Sequence, residues 1–226
     1  MQVTVERATR EMLPLAAHLQ QAIEQAYAAM VRRDDHAVIP IYRQRIYAAF
    51  GPARDQLSYQ CRGWLDVLTA RFVLPMWQEV WPGDPLATRL FVLAEDVLHG
   101  RKQRTAVADE LGQVWAQLEG SHAEAEWQAH DRACNARQAA VQTLAWLVDP
   151  WPSCRLMTED ETDWDLLDPI CSDAAMWAVN AYAGAVYDWV SDPTQRREFW
   201  TWWLHDAIPV ARRYALKGTS TDGYPC

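Results

Sequence analysis

Apolar residues recur along most of this chain at spacings of three and four, the period of helices that bury one face. Leu15, Leu19, Ile23, Tyr27 and Met30 form the first such stripe, with Pro14 placed where an opening helical turn tolerates it. The pattern next predicts a helix over Ile41 to Phe50, ended by Gly51 and Pro52, and another from Ala53 to about Phe72, interrupted by Pro75. Asp84 and Pro85 read as N-cap and first-turn proline of a helix over Leu86 to Leu98, with Gly100 as its stop. A further helix spans Thr105 to Glu119 and meets Gly120. Ser121 and Glu124 then stand at capping-box spacing, heading a helix that reaches about Val148. Its seam is Trp127, Cys134, Val141 and Val148, seven apart, with Leu144 between.

The period is lost at Asp149 to Pro152, and the stretch to Pro169 reads as an exposed loop or a short helical turn. It returns over Ile170 to Val190, where Ala174, Ala175, Ala178, Ala181, Gly184 and Ala185 are small enough for a facing helix to come close. Asp192 and Pro193 repeat the cap-and-proline device and open a last helix through Phe199 to Leu204, kinked or ended by Pro209. No strand alternation and no repeat period stands out. The expected architecture is an all-α, single-domain bundle of roughly eight to ten helices, with residues 1–216 as the domain and 217–226 as a frayed tail.

Charge narrows the function classes. The chain carries a formal net charge of −9, which disfavours binding to nucleic-acid phosphates and docking on anionic membrane. Its five cysteines are scattered and odd in number, with no Cys-x-x-Cys pair, a usage that suits a reducing cytoplasm. The N-terminus lacks a basic and apolar leader, and the longest uncharged apolar-rich stretch, Ala174 to Tyr187, is too short to span a bilayer. The expected compartment is therefore the cytoplasm. Within the net charge one run stands apart. Glu159, Asp160, Glu161, Asp163, Asp165 and Asp168 crowd together around Trp164, and no lysine or arginine occurs from Leu156 to Gln195. Carboxylates packed within a Debye length repel one another, so the run should stay solvated and favour a basic partner. Trp164 could then seat its ring in that partner's pocket while the acids pair around it.

Other chemistry is weighed against plainer readings. Most of the thirteen tryptophans should be core, since indole is chiefly a large apolar payload. Trp81, Trp151 and Trp164, beside prolines or acids, are the ones to expect partly exposed. His122, Glu126 and His130 share a helical spacing that could offer metal ligands, but three groups over two turns need a fourth from elsewhere to enclose an ion, and a surface stripe explains them too. The acidic run lacks the glycine turn and ligand order of an EF-hand loop. No Gly-x-Ser-x-Gly elbow, phosphate-cradling loop or locally activated cysteine occurs. No cofactor is implied, and a binding protein is favoured over an enzyme. A helical-bundle enzyme or small-ligand or metal-binding protein with a tryptophan-lined cavity stays open, as does an assembly protein joined through an apolar face.

Three stretches carry a family likeness. They are Leu74 to Pro85 (LPMWQEVWPGDP), Leu90 to Gly100 (LFVLAEDVLHG) and Arg196 to Pro209 (RREFWTWWLHDAIP), with an alanine-rich helical middle between the last two. Over Leu74 to Tyr214 the chain resembles the Imm5-like immunity proteins of bacterial polymorphic-toxin systems. The resemblance implies a small cytoplasmic protein that binds and neutralises a cognate protein toxin without a cofactor. It assigns no interface residue to any position here.

Overall fold

A computed structural model describes residues 15–52, 54–121, 124–149, 173–184 and 191–219; within these, the side chains of 117–121, 124–128 and 219 are outside the description. Among the described residues the regular structure is helical throughout, with no strand. The helices are α1 (Ala17–Val31), α2 (Pro40–Ala49), α3 (Gln56–Val80), α4 (Pro85–Leu98), α5 (Arg104–Ser121), α6 (Glu124–Val148), α7 (Ala174–Ala183), α8 (Pro193–Trp202) and α9 (Ile208–Thr219). A π-helical turn over Trp203–Ala207 joins α8 to α9 in one rod. The all-α bundle expected from the sequence is what forms.

Aspartate side chains cap four of the helix starts. Asp55 accepts from the Ser58 amide (2.8 Å) at α3, Asp84 from Leu86 (2.9 Å) at α4, and Asp173 from Met176 (2.8 Å) at α7. Asp192 accepts from Thr194 (2.8 Å) and Gln195 (3.2 Å) at α8. Each satisfies amides that no turn of helix precedes, worth about 1 kcal/mol per cap. At α4 and α8 a proline follows the cap, as the sequence predicts.

Two prolines do not end the helices that contain them. The helix predicted to break at Pro75 runs on to Val80. Pro75 sits on the exposed face, where the carbonyl it deprives of a donor can be hydrated, while Trp77 two residues on is fully buried and donates its Nε1 to Asp84 (3.1 Å). Burial of that indole outweighs the local cost of the proline. Pro209 does not end the last helix. The turn before it widens, with the Ile208 amide bonding to the Trp203 carbonyl five residues back, and the rod continues to Thr219. The stretch predicted as one helix over Ile170 to Val190 is shorter where described. Asp173 caps its start and Gly184 stops it, at φ +79° and ψ 158°, a conformation that a side chain disfavours. Gly120 does not end α5, which includes Ser121. The Ser121 and Glu124 side chains of the expected capping box, and Pro14 ahead of α1, lie outside the description.

α3 is the central element. Tyr59, Gly63, Trp64, Leu65, Val67, Ala70, Val73 and Trp77 are buried around its circumference, and α4, α6, α7, the π turn and α9 pack against it. At Gly63 an added Cβ would stand 2.6 Å from side-chain carbons of both Leu98 and Leu147, so the ends of α4 and α6 close on α3 there. The α6 seam is core at Cys134, Val141 and Leu144. The small residues of α7 are fully buried at Ala175, Ala178 and Ala181, the close approach expected of them. Trp64, Trp77, Trp200 and Trp203 are buried, as expected of the tryptophans in general.

Candidate functional site

The acidic run and its tryptophan, Glu159, Asp160, Glu161, Asp163, Trp164, Asp165 and Asp168, lie outside the described residues. Their flanks are described. On the N-terminal side α6 ends at Val148, with the Leu147 carbonyl accepting from Tyr59 Oη (2.8 Å) and Trp146 stacked on the Tyr59 ring at 5.5 Å. On the C-terminal side stands Asp173, which divides its two oxygens. Oδ1 caps α7, and Oδ2 accepts from Arg43 Nε at 2.7 Å.

Arg43 lies on α2, 2% exposed, and also donates to the Val38 carbonyl (2.7 Å), with its guanidinium over the Trp200 ring at 5.8 Å. A turn further along α2, the Tyr47 hydroxyl donates to Asp66 Oδ1 on α3 at 3.1 Å. Asp66 is 3% exposed. Burial, and then the nearby Asp173 carboxylate, push its pKa well above the usual carboxylate range, so it retains its proton far more readily than a surface acid. Burial, followed by the charges of Asp66 and Asp173, likewise raises Tyr47. These four side chains tie α2, α3 and the start of α7 together. With Asp66 buried, their chemistry is that of a structural lock.

A second set of contacts joins the end of α7 to the start of α8. Arg196, 1% exposed, donates to the Gly184 carbonyl (2.5 Å) and to Ser191 Oγ (2.7 Å), and the Asp192 amide bonds to the Ala183 carbonyl (2.8 Å). Burial lowers the Arg196 pKa, and Asp35 works against that. Arg132 on α6 caps the end of α7 by donating to the carbonyls of Ala181 (2.8 Å) and Tyr182 (3.1 Å).

Of the three possible metal ligands, His122 and the Glu126 side chain lie outside the description. His130 is exposed where α6 kinks, at φ −138° and ψ 36°, with its ring edge against Trp81 at 5.8 Å. Among the described residues no group of three His, Cys, Asp or Glu side chains could hold a metal. Trp81 is half-buried, in line with its expected partial exposure, and the Arg137 guanidinium covers its ring at 4.7 Å. Trp151 and Trp164 are outside the described residues. Cys61 and Cys134 are buried, and burial pushes the Cys61 thiol up to about 11, too high for a reactive thiolate. Among the described residues no helix is long and apolar enough to cross a membrane.

Sequence reasoning identified the acidic run but missed Arg43, Tyr47, Asp66 and Arg196. Asp66 and Arg196 differ from solvated charges only by their apolar neighbours in the sequence, a weak signal that Leu65 and Val67, and Phe199 and Trp200, do supply. Charge is unevenly divided between the two parts. The described residues hold eighteen of the chain's 21 lysines and arginines and twenty of its 30 acids, which is close to balance. Residues 150–172 hold six acids against the single Arg155.

A family model described as Immunity protein Imm5 matches residues 23–210. The match begins within α1, well ahead of the Leu74 to Tyr214 stretch on which the sequence likeness rests. A comparison with curated proteins finds no match.

Proposed function

The chain belongs to the Imm5 family of immunity proteins, and from that premise we propose that it binds and neutralises a cognate protein toxin in the cytoplasm. The family match carries the reading; the charge distribution suggests the surface. A nearly balanced helical body gives a partner little to be steered by. The run Glu159, Asp160, Glu161, Asp163, Asp165 and Asp168 offers a dense negative field, and Trp164 offers one large ring among those charges. Such a surface suits a basic toxin face, where charge accelerates the encounter and a seated aromatic slows release. On this reading the body is a scaffold, and the Arg43–Asp173 pair and the Tyr59–Leu147 bond hold the two roots of the binding segment.

The test is capture from the source lysate at low salt, using the wild-type chain and a variant carrying Glu159→Lys, Asp160→Lys and Glu161→Lys, followed by expression of each captured protein alone and with this chain. The expected result is a basic protein that arrests growth, is retained by the wild type and is silenced by co-expression. Its association with the lysine variant should be slower by at least about tenfold at low salt, and Trp164→Ala should mainly speed dissociation. A captured toxin that binds both chains equally fast would remove the acidic surface from the reading. Captured proteins that never inhibit growth would remove the toxin.

A further inference from the structure

The lock between α2, α3 and α7 contains one acid without a matching base. Asp66 stands in the middle of α3, and its carboxyl is enclosed by helices on several sides. Tyr47 of α2 donates to Oδ1, and Arg43 lies one turn earlier on the same helix. From the start of α7 comes a second carboxylate, Asp173. On α3 itself Arg62 lies one turn back. The other neighbours bring no charge: Thr143 of α6 donates to the Asp66 main-chain carbonyl (3.2 Å), and Trp203 of the π turn donates to Thr69 (3.0 Å) and meets the Tyr47 ring edge-on. α4 and α9 meet α3 at other positions, Leu98 at Gly63 and Tyr214 at Trp64.

Neither cation forms an ion pair with Asp66. Arg43 gives Nε to Asp173 and Nη1 to the Val38 carbonyl, and Arg62 gives Nη2 to the Gly51 carbonyl (2.5 Å). The Asp66 carboxyl is left with one phenolic hydrogen bond and a like charge nearby. A carboxylate so placed, away from water, is costly, while the neutral acid is not. The raised pKa of Asp66 has the same origin, with burial first and Asp173 second, against the Tyr47 bond and Arg62. Asp173, by contrast, accepts at both oxygens, from the Met176 amide that it caps and from Arg43, which favours its ionised form. The two acids are compatible when the proton resides on Asp66.

We propose that Asp66 is a proton-operated catch on the first turn of α7. Protonated, it lies near the Asp173 carboxylate without repulsion, and α7 stays capped and tied to α2. Ionised, it repels Asp173 and competes for Arg43. Asp66 is 3% exposed and fixed in the middle of a long helix. The Asp173 side chain is 24% exposed and stands at a helix start, so Asp173 is the member that moves, outward to water. The N-cap and the Arg43 tie go with it, and the start of α7 becomes the first of these three elements to open as pH rises.

Two measurements on the full chain across pH test this: the carboxyl-carbon resonance of Asp66, and amide exchange over Ala174–Ala183 corrected for the intrinsic rise of exchange with pH. Asp66 should ionise well above the ordinary carboxylate range. Protection of α7 should fall with it, by up to about tenfold per pH unit, while α3 stays protected. Asp66→Asn should make α7 protection level across pH. Tyr47→Phe removes a hydrogen bond that favours the ionised acid and should move both transitions to higher pH. Asp173→Asn removes the like charge but keeps a good N-cap, so it should move Asp66 ionisation to lower pH and leave α7 protection lower but level. Loss of packing alone does not produce opposite shifts, and these two variants keep the test decisive even where Asp66→Asn folds poorly. An Asp66 that titrates as a surface acid, that ionises while α7 stays protected, that keeps its proton until the whole bundle unfolds, or that shifts the same way in both variants would overturn the proposal. None of these readouts involves a toxin, so the outcome is separate from that of the neutralising role.

Discussion

Arg43 and Arg104 are the same residue type put to opposite uses. Arg43 is enclosed, with Asp173, the Val38 carbonyl and the Trp200 ring about it. Arg104 lies on the surface of a tyrosine with its charge turned to solvent. A buried guanidinium must be matched inside the protein, since desolvation is costly and only close partners offset it. An exposed one costs almost nothing to leave unmatched, so its value lies in what approaches from outside. The difference separates the residues that hold this fold from those that a partner could read. It also makes their substitutions diverge.

The largest divergence is expected at Arg43. Arg43→Ala strips the buried guanidinium partner from the Asp173 carboxylate and should lower unfolding stability by about 3 kcal/mol in chemical denaturation. Arg43→Met keeps much of the volume and isolates the charge. Combined with Asp173→Asn, which keeps a good N-cap, it should cost clearly less than the two single changes summed, with a coupling of about 1.5 kcal/mol or more. Additive costs would show that the pair is not the tie between α2 and α7.

Asp66 gives a smaller effect that changes with pH. Its folded pKa is raised by burial and by Asp173, so the folded chain holds a proton that the unfolded chain releases above its ordinary pKa. The contribution is therefore most favourable below that ordinary value and is lost as pH rises toward the raised folded pKa, at up to about 1.4 kcal/mol per pH unit. Asp66→Asn can still accept from Tyr47 and has no proton to lose. Its stability relative to wild type should grow as pH climbs from mildly acid to alkaline. A constant difference across that range would show that Asp66 titrates like a surface acid.

How much of this was legible in the sequence follows from the range of the forces involved. Caps at Asp84 and Asp192 act within three residues and are visible as Asp-Pro pairs. The stripe of α1 and the seam of α6 are visible because their periods match the helix. Pro75 and Pro209 misled, because whether a proline ends a helix depends on what the following turn buries. Here Trp77, and Ile208 with Ala211 and Ala215, are buried by elements far away in sequence. Gly184 misled in the other direction, since a glycine among alanines reads as packing until its positive φ is seen. The Arg43–Asp173 pair spans 130 residues, and no local pattern announces it. The acidic run was legible as chemistry from composition alone, and the family match from α1 onward adds the immunity-protein family without choosing that surface.

The smallest stability effect is the most informative about function. Arg104 forms no ion pair among the described residues, and its one defined contact is the face of Tyr59. Exposed cation–π contacts contribute about 0.5–1 kcal/mol, and the stem of the side chain can still cover the ring after its charge is removed. Arg104→Gln should therefore shift unfolding stability by no more than about 0.5 kcal/mol, in contrast to Arg43, where burial makes the same loss of charge severe. If the exposed face exists to be read by a partner, that near-silent substitution should weaken partner binding and its salt dependence while the melting curve stays in place. A loss of stability comparable to that of Arg43→Ala would place Arg104 with the scaffold, and the contrast between the two arginines would collapse.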